Sequence, residues 1–231
     1  LVEEIAFTLP ISTQKINFTY LNMRVVGLTS VSGPYIRARW SAFATKYPKN
    51  SVSLIEFGRV SETYQWLPLI SDCSYKRIVL SEKPAESQSP LKLVTLLINS
   101  LDLVQPDVVV INGYSEPATL SALMWSIWHR KPAILLSATK EDDASRRKSF
   151  ILKGYQAALV GGKPQKRYLT KLGMSGDRVF EGYNVVGNDD FHPNKIKSLP
   201  SPHHKPYFLA INRFVPKKNL LHLISCYAFY Y

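Results

Sequence analysis

Two cysteines in 231 residues, Cys73 and Cys226, are too few and too far apart for a disulfide framework or for the paired spacing of a zinc site. They read as free thiols of a reducing, cytoplasmic compartment. No apolar run approaches the ~18 residues of a transmembrane span. The richest, Leu91 to Val104, is interrupted by Asn99, Ser100 and Asp102. The N-terminal Leu-Val-Glu-Glu opens with acids and does not read as a secretory signal, and the missing initiator Met suggests that the chain begins mid-gene. There is no G-x-S-x-G, no H-E-x-x-H, no P-loop and no G-x-G-x-x-G fingerprint. The histidines fall at no ligand spacing: His129 beside Arg130, His192 and His222 isolated, His203 and His204 in a Pro-rich segment. Asp189-Asp190 reads as a cap or hinge, so no metal is expected. Acids are also scarce, 17 against 29 Lys and Arg, which leaves a net charge of +12. That balance narrows the partners to polyanions: nucleic acid, anionic lipid or phosphorylated substrates.

What is present is a core. Apolar residues make up 45% of the chain, which argues against general disorder. Residues 1–20 carry no period and read as an N-terminal extension. From 21 to 191 strand and helix signals alternate in units of ~20–30 residues, the pattern of a doubly wound, mostly parallel α/β sheet. Leu21–Leu28 reads as the first strand, with Ser30–Tyr35 turning into a helix from Pro34 to Tyr47. Ile36, Trp40, Phe43 and Ala44 share its inward face; Arg37, Arg39 and Lys46 lie elsewhere. Ser51–Phe57 and Lys76–Leu80 are strands, and Lys83–Pro90 reads as a flexible loop. Leu91–Leu103 is a helix, and Val108–Ile111 a β-branched strand buried on both faces. Glu116–Arg130 is the next helix, with Leu120, Leu123/Met124 and Ile127 inward. A strand at Ala133–Leu136, a charged helix at Asp142–Lys153, a strand at Ala157–Val160 and a helix at Pro164–Leu172 follow. Gly173 is a C-cap, and Arg178–Gly182 is the last strand. Residues 192–206, with Pro193, Pro200, Pro202 and Pro206, read as an interdomain linker.

Loops at the carboxyl ends of parallel strands are where open α/β sheets bind ligands. This singles out Ser32-Gly33, Asn112–Glu116, Ser137–Asp143 and Gly161-Gly162. One Gly at a helix start is also what a tight turn needs, and a charged helix face also explains Asp142, Asp143, Arg146 and Arg147.

Residues 207–221 have a different weight. Tyr207–Ile211 reads as a strand and Asn212–Pro216 as a loop carrying Arg213. From Lys217 the apolar spacing is helical: Leu220, Leu223/Ile224, Tyr227, Tyr231. Lys217 and Lys218 then fall in the first turn, where cations oppose the helix dipole. The placement makes sense if an anion is held there by free backbone N–H groups and basic side chains. A solvated basic turn is the other reading.

This stretch resembles the start of the second domain in retaining glycosyltransferases of the GT-B fold, family four. Arg213 and Lys218 fall on that family's Arg and Lys, with Asn212 where the family has Gly. Glu181-Gly182-Tyr183-Asn184-Val185-Val186-Gly187-Asn188-Asp189-Asp190-Phe191 is similar to the segment that closes the family's first domain. The resemblance implies a Rossmann-like first domain at 21–191 and the start of a second, incomplete Rossmann-like domain at 207–231. It implies transfer of a sugar from a nucleotide-sugar donor to a carbohydrate or lipid-linked acceptor with retention of configuration, in polysaccharide or glycoconjugate synthesis. No metal or cofactor is implied. Arg213 and Lys218 would grip the donor diphosphate, and Gly33 and Ser137 would face the cleft on the acceptor side; the catalytic residue is not identified. Ala138 stands where the family's motif after Ser137 has Glu. With the early end of the chain, this favours the alternative of an inactive fragment. A nucleic-acid-binding module is the alternative from charge alone, but no recognised motif or aromatic–basic interleaving supports it, and no nucleic acid is expected. An epimerase of the same fold is a further alternative. The charge, without a spanning segment, implies peripheral contact with an anionic membrane.

Overall fold

The computed structural model describes residues 22–64, 73–139, 146–188, 192–197, 200, 203–212 and 214–230. The expectations placed on residues 1–20, Asp142, Asp143, Asp189, Asp190 and Arg213 lie outside these. The chain divides into two compact units, the first reaching Asn188 and the second holding the remainder.

The first unit is a parallel sheet of seven strands: β1 (Arg24–Thr29), β2 (Ser51–Glu56), β3 (Lys76–Val79), β4 (Val108–Asn112), β5 (Ala133–Ser137), β6 (Ala157–Val160) and β7 (Val179–Glu181). Their order is β3-β2-β1-β4-β5-β6-β7, and every neighbouring pair is parallel. The helices are α1 (Pro34–Lys46), α2 (Pro90–Val104), α3 (Pro117–Trp128), α4 (Arg146–Leu152) and α5 (Lys163–Lys171). This is the expected Rossmann-like α/β architecture.

Handedness sorts the helices. The chain steps outward through β1, β2 and β3, returns to the centre, and steps the other way through β4 to β7. Right-handed crossovers therefore put α1 on one face and α2 to α5 on the other. Alternation along β4 serves both faces. Val109 and Ile111 join Val26, Ile55, Leu97, Leu101, Leu135, Leu169 and Val160 in the larger core. Val108 and Val110 join Val25 and Leu136 on the α1 side, against Trp40 and Phe43.

Gly27 makes the α1 contact possible. A Cβ there would meet the Trp40 ring at 2.1 Å, so a bare strand position seats the indole. Arg37, expected away from the core, is nevertheless buried. The loop expected to be flexible at 83–90 is instead a tied 3-10 turn at Ala85–Ser87. Gln88 Nε2 donates to the Phe57 carbonyl at 2.9 Å, and Gly58 lies so close that a Cβ would meet Ala85 N at 2.6 Å. The most consequential difference is in α3. Ala118, Ala122, Leu123, Trp125 and Ser126 are buried, whereas Met124 and Ile127 are exposed. Small residues let α3 approach the sheet closely, and that contact outcompetes the larger apolar stripe.

The second unit contains the short helix α6 (Pro193–Ile196), a 3-10 turn at Pro216–Lys218 and helix α7 (Leu220–Tyr230). Residues 206–212, expected to begin with a strand, form none. The unit contains no neighbouring strand among the described residues, and a strand without a ladder partner leaves its backbone groups to water. Phe208 packs edge-on against Tyr227 and Tyr230 of α7 instead.

Candidate functional site

The strand order reverses between β1 and β4. At such a point the loops leaving the two carboxyl ends diverge to opposite faces and open a crevice. From β1, the chain passes through Ser32 and Gly33 into α1. Gly33 is the buried N-cap residue, with extended backbone and no side-chain cap, and its carbonyl accepts from Arg37 N at 3.1 Å. A 13-residue helix thus points its N-terminus at the crevice with uncapped N–H groups. From β4, the chain passes through Asn112 into Gly113, whose φ of +92° is a left-handed turn that favours glycine.

Three residues far apart in sequence meet there. Tyr183, after β7, brings its hydroxyl to 3.5 Å from Asn112 Oδ1. The Arg39 guanidinium lies 4.4 Å from the centre of the Tyr183 ring and donates to the Tyr183 carbonyl at 2.6 Å. So the segment after the last strand folds back over the switch point and is clamped to α1 by a cation–π contact and a charged hydrogen bond. Tyr155, almost fully buried, donates from its hydroxyl to the Gly113 carbonyl at 3.2 Å, and burial pushes its phenol well up.

The β1–α1 loop is held from its other side by Glu56. This fully buried carboxylate at the end of β2 accepts from Arg77 Nε at 2.6 Å and Nη2 at 3.0 Å, and from Ser32 N at 3.3 Å. Register explains the pair: Arg77 lies opposite Leu54, two residues before Glu56, so the two side chains are diagonal neighbours on one face. The Glu56 hydrogen bond raises the Arg77 guanidinium above its usual range. Beside it, burial pushes the Tyr75 phenol up to about 12, against a lowering contribution from Ser32. Both hydroxyls are buried, and neither meets a hydrogen bond of good geometry. The one sequence signal for this cluster was an acid ending an otherwise buried strand.

Ser137 ends β5 with its hydroxyl buried, accepting from Thr139 N at 3.3 Å. The Gln165 amide reaches the Ala138 carbonyl at 3.5 Å. Gly33 and Ser137 thus both sit at the carboxyl edge of one sheet.

No family model matches the sequence, and no curated protein matches it either. Among solved structures, a UDP-N-acetylglucosamine 2-epimerase from Rickettsia bellii is 16% identical, with a TM-score of 0.50 over 78% of this chain and 50% of that one. A glycosyltransferase from Rickettsia africae is 13% identical, with a TM-score of 0.50 over 79% of this chain and 47% of that one. The likeness is one of fold. It is the GT-B type of Rossmann-like sheet, and this chain spans about half the length of the proteins that share it.

In this GT-B-like chain the remaining expected site residues belong to the second unit. Lys218 is exposed and closes the 3-10 turn, its N–H donating to the Val215 carbonyl at 2.9 Å. The expectation that it lies in the first turn of the following α-helix is not met. Asn219, at φ +47°, breaks the path, and α7 starts at Leu220. Among the described residues no group of three His, Cys, Asp or Glu is placed to hold a metal ion, and no helix is long and apolar enough to cross a membrane.

Proposed function

We propose that this chain is the acceptor-side domain and the start of the donor-side domain of an enzyme that moves a sugar from a nucleotide-sugar to a carbohydrate or lipid-linked acceptor, in polysaccharide or glycoconjugate synthesis. The observation that carries the reading is the reversal of strand order between β1 and β4, beside the α1 N-terminus, in a sheet whose fold is shared with a glycosyltransferase. The Rickettsia bellii neighbour acts, by its name, on UDP-N-acetylglucosamine, which supports a nucleotide-sugar as the common ligand class.

In this reading the bond from the anomeric carbon to the diphosphate breaks, and its electron pair leaves on the diphosphate. An acceptor hydroxyl loses its proton and forms the new bond on the same face of the sugar. Fixed cations neutralise the departing charge without a metal. Arg213 and Lys218 supply them, in the loop between Asn212 and α7. The uncapped N-terminus of α1 at Gly33 and the loop after Ser137 face the acceptor, and Tyr183 on Asn112 closes the crevice. No cofactor takes part; the nucleotide-sugar is a co-substrate.

Labelled UDP- and GDP-sugars are incubated with the longest polypeptide that carries this chain, with and without glycan and lipid-linked acceptors and with chelator. Transfer with the same anomeric configuration, undiminished by chelator, is the expected result. Acceptor-independent conversion of the sugar to its 2-epimer would replace the reading with that of an epimerase, and neither product would leave the chain an inactive relative.

A further inference from the structure

A groove of the first unit lies away from the carboxyl edge. It runs along α3 and the end of α4 to the turns before β5 and β6, on the opposite, amino edge of the sheet. It has a volume of about 770 Å³, and its apolar lining includes Leu120, Leu123, Met124, Ile127, Phe150 and Ile151. Gly154 forms its floor, so close to Leu123 and Ile127 that a Cβ would meet their methyl groups at 3.1 Å.

Core packing accounts for Leu123 and Ile151 but not for the rest of this face. α3 already buries Ala118 and Ala122 on its other side. Met124 remains 65% exposed, Ile127 51%, Phe150 75%, and Trp128, one turn beyond Met124, 84%. A contiguous apolar patch of this kind marks a surface that something covers. Among the described residues its rim is of one sign. Arg130, Arg147 and Lys153 border the groove, are exposed, and form no ion pair among the described residues. Lys131 is paired with Asp107 at 3.4 Å. No carboxylate lines the groove among the described residues.

The charge chooses the occupant. A second copy of this face would set cations against cations. A layer that is apolar within and anionic at its surface satisfies both the centre and the rim and demands no matching shape. We propose that the α3–α4 face docks the protein on an anionic lipid bilayer, with Trp128 and Phe150 in the headgroup region and Arg130, Arg147 and Lys153 on lipid phosphates. The sheet then stands with its carboxyl edge away from the lipid, lifted by roughly the length of a five-residue strand, about 15 Å. This inference does not rest on nucleotide-sugar chemistry and survives its failure.

The experiment is co-sedimentation of the protein with vesicles of phosphatidylcholine alone and of phosphatidylcholine mixed with phosphatidylglycerol. The protein is expected to bind the mixed vesicles and not the neutral ones, with a blue shift of tryptophan emission that Trp128→Ser removes. Two independent double variants, Met124→Ser/Phe150→Ser and Arg130→Ser/Lys153→Ser, should each lower partitioning on the order of tenfold. Lys46→Ser/Lys76→Ser removes the same charge away from the groove and should change it by less than about threefold. Equal binding to neutral vesicles, an equal loss in the Lys46/Lys76 control, or parent-like binding by both groove variants overturns the proposal. So does a concentration-dependent dimer that Phe150→Ser dissolves while no vesicle binds, which makes the face an interface between copies.

Discussion

Glu56 ties the β1–α1 loop to Arg77 of β3. Its carboxylate answers two guanidinium nitrogens and the Ser32 amide from a fully buried position. Glu56→Gln leaves Arg77 without its counter-charge. Because Arg77 is 30% exposed and regains some water, the expected cost is about 2–3 kcal/mol, below the usual figure for a broken buried pair. A shift of the urea midpoint worth less than about 0.5 kcal/mol would show that the pair does not hold the loop. Gly27→Ala is expected to cost about 1–3 kcal/mol through the Trp40 ring, and Trp40→Leu in the same chain should recover part of it; simple addition of the two single effects would refute the contact. For the donor loop, Arg213→Ala and Lys218→Ala should each lower kcat/KM by roughly tenfold to a hundredfold, with loss in turnover as well as affinity. Parent-like transfer by both would remove that loop from the site. At this scale the sequence was legible where a residue type carries its own constraint, as with Pro34 starting a helix and Gly173 ending one. It was silent on Glu56 with Arg77, and on Tyr183 with Asn112, because those pairs exist only through strand order and through a segment folding back from β7.

Among the elements, α3 is the clearest lesson. Its sequence is apolar nearly all round, so the helical period finds more than one stripe. The stripe Leu120, Leu123/Met124 and Ile127 was the natural choice for the core; Leu123 is buried as expected, but Met124 and Ile127 are exposed, and the side with Ala118 and Ala122 faces the sheet because small residues bring the helix axis nearer. Ala122→Leu is therefore expected to destabilise by about 1–3 kcal/mol, whereas Met124→Ser should stay within about 0.5 kcal/mol. Thermal or urea unfolding of the two variants checks this, and a reversed order would restore the first reading. Asp107 joins three elements: it accepts from the Arg24 amide at 2.9 Å at the start of β1 and pairs with Lys131 before β5. Partial burial pushes its carboxyl up, but the Arg24 amide and guanidinium and the Lys131 ammonium outweigh this and hold it below the usual carboxylate range. A carboxyl depressed in the folded state stabilises above its unfolded value and loses that contribution as pH falls through the folded one. Stability should thus drop below about pH 4, and Asp107→Asn should flatten that part of the profile.

Across the whole molecule the alkaline limb follows the opposite sign. Burial raises Tyr75 to about 12 and Tyr155 well above the ordinary phenol value. Between pH 10 and 12 the unfolded chain ionises these phenols first, so stability is full below about 10 and falls as pH rises. Tyr75→Phe should reduce that fall, read from urea midpoints across the range; an unchanged slope would place the phenol in water. By itself the sequence determined the alternation of strands and helices in the first unit, the two-faced burial of Val108–Ile111 and the existence of the helix that became α7. Each of these rests on short-range regularities: side-chain period, β-branching, and the punctuation of Pro and Gly. Tertiary structure alone decided which side of α3 faces the sheet, that Tyr183 meets Asn112 and Arg39 at the β1–β4 switch point, that a buried Glu56 anchors the loop beside Gly33, and that residues 206–212 form no strand. Those outcomes depend on partners brought from elsewhere in the chain, or on a partner strand the second unit lacks among its described residues, and no local pattern encodes either.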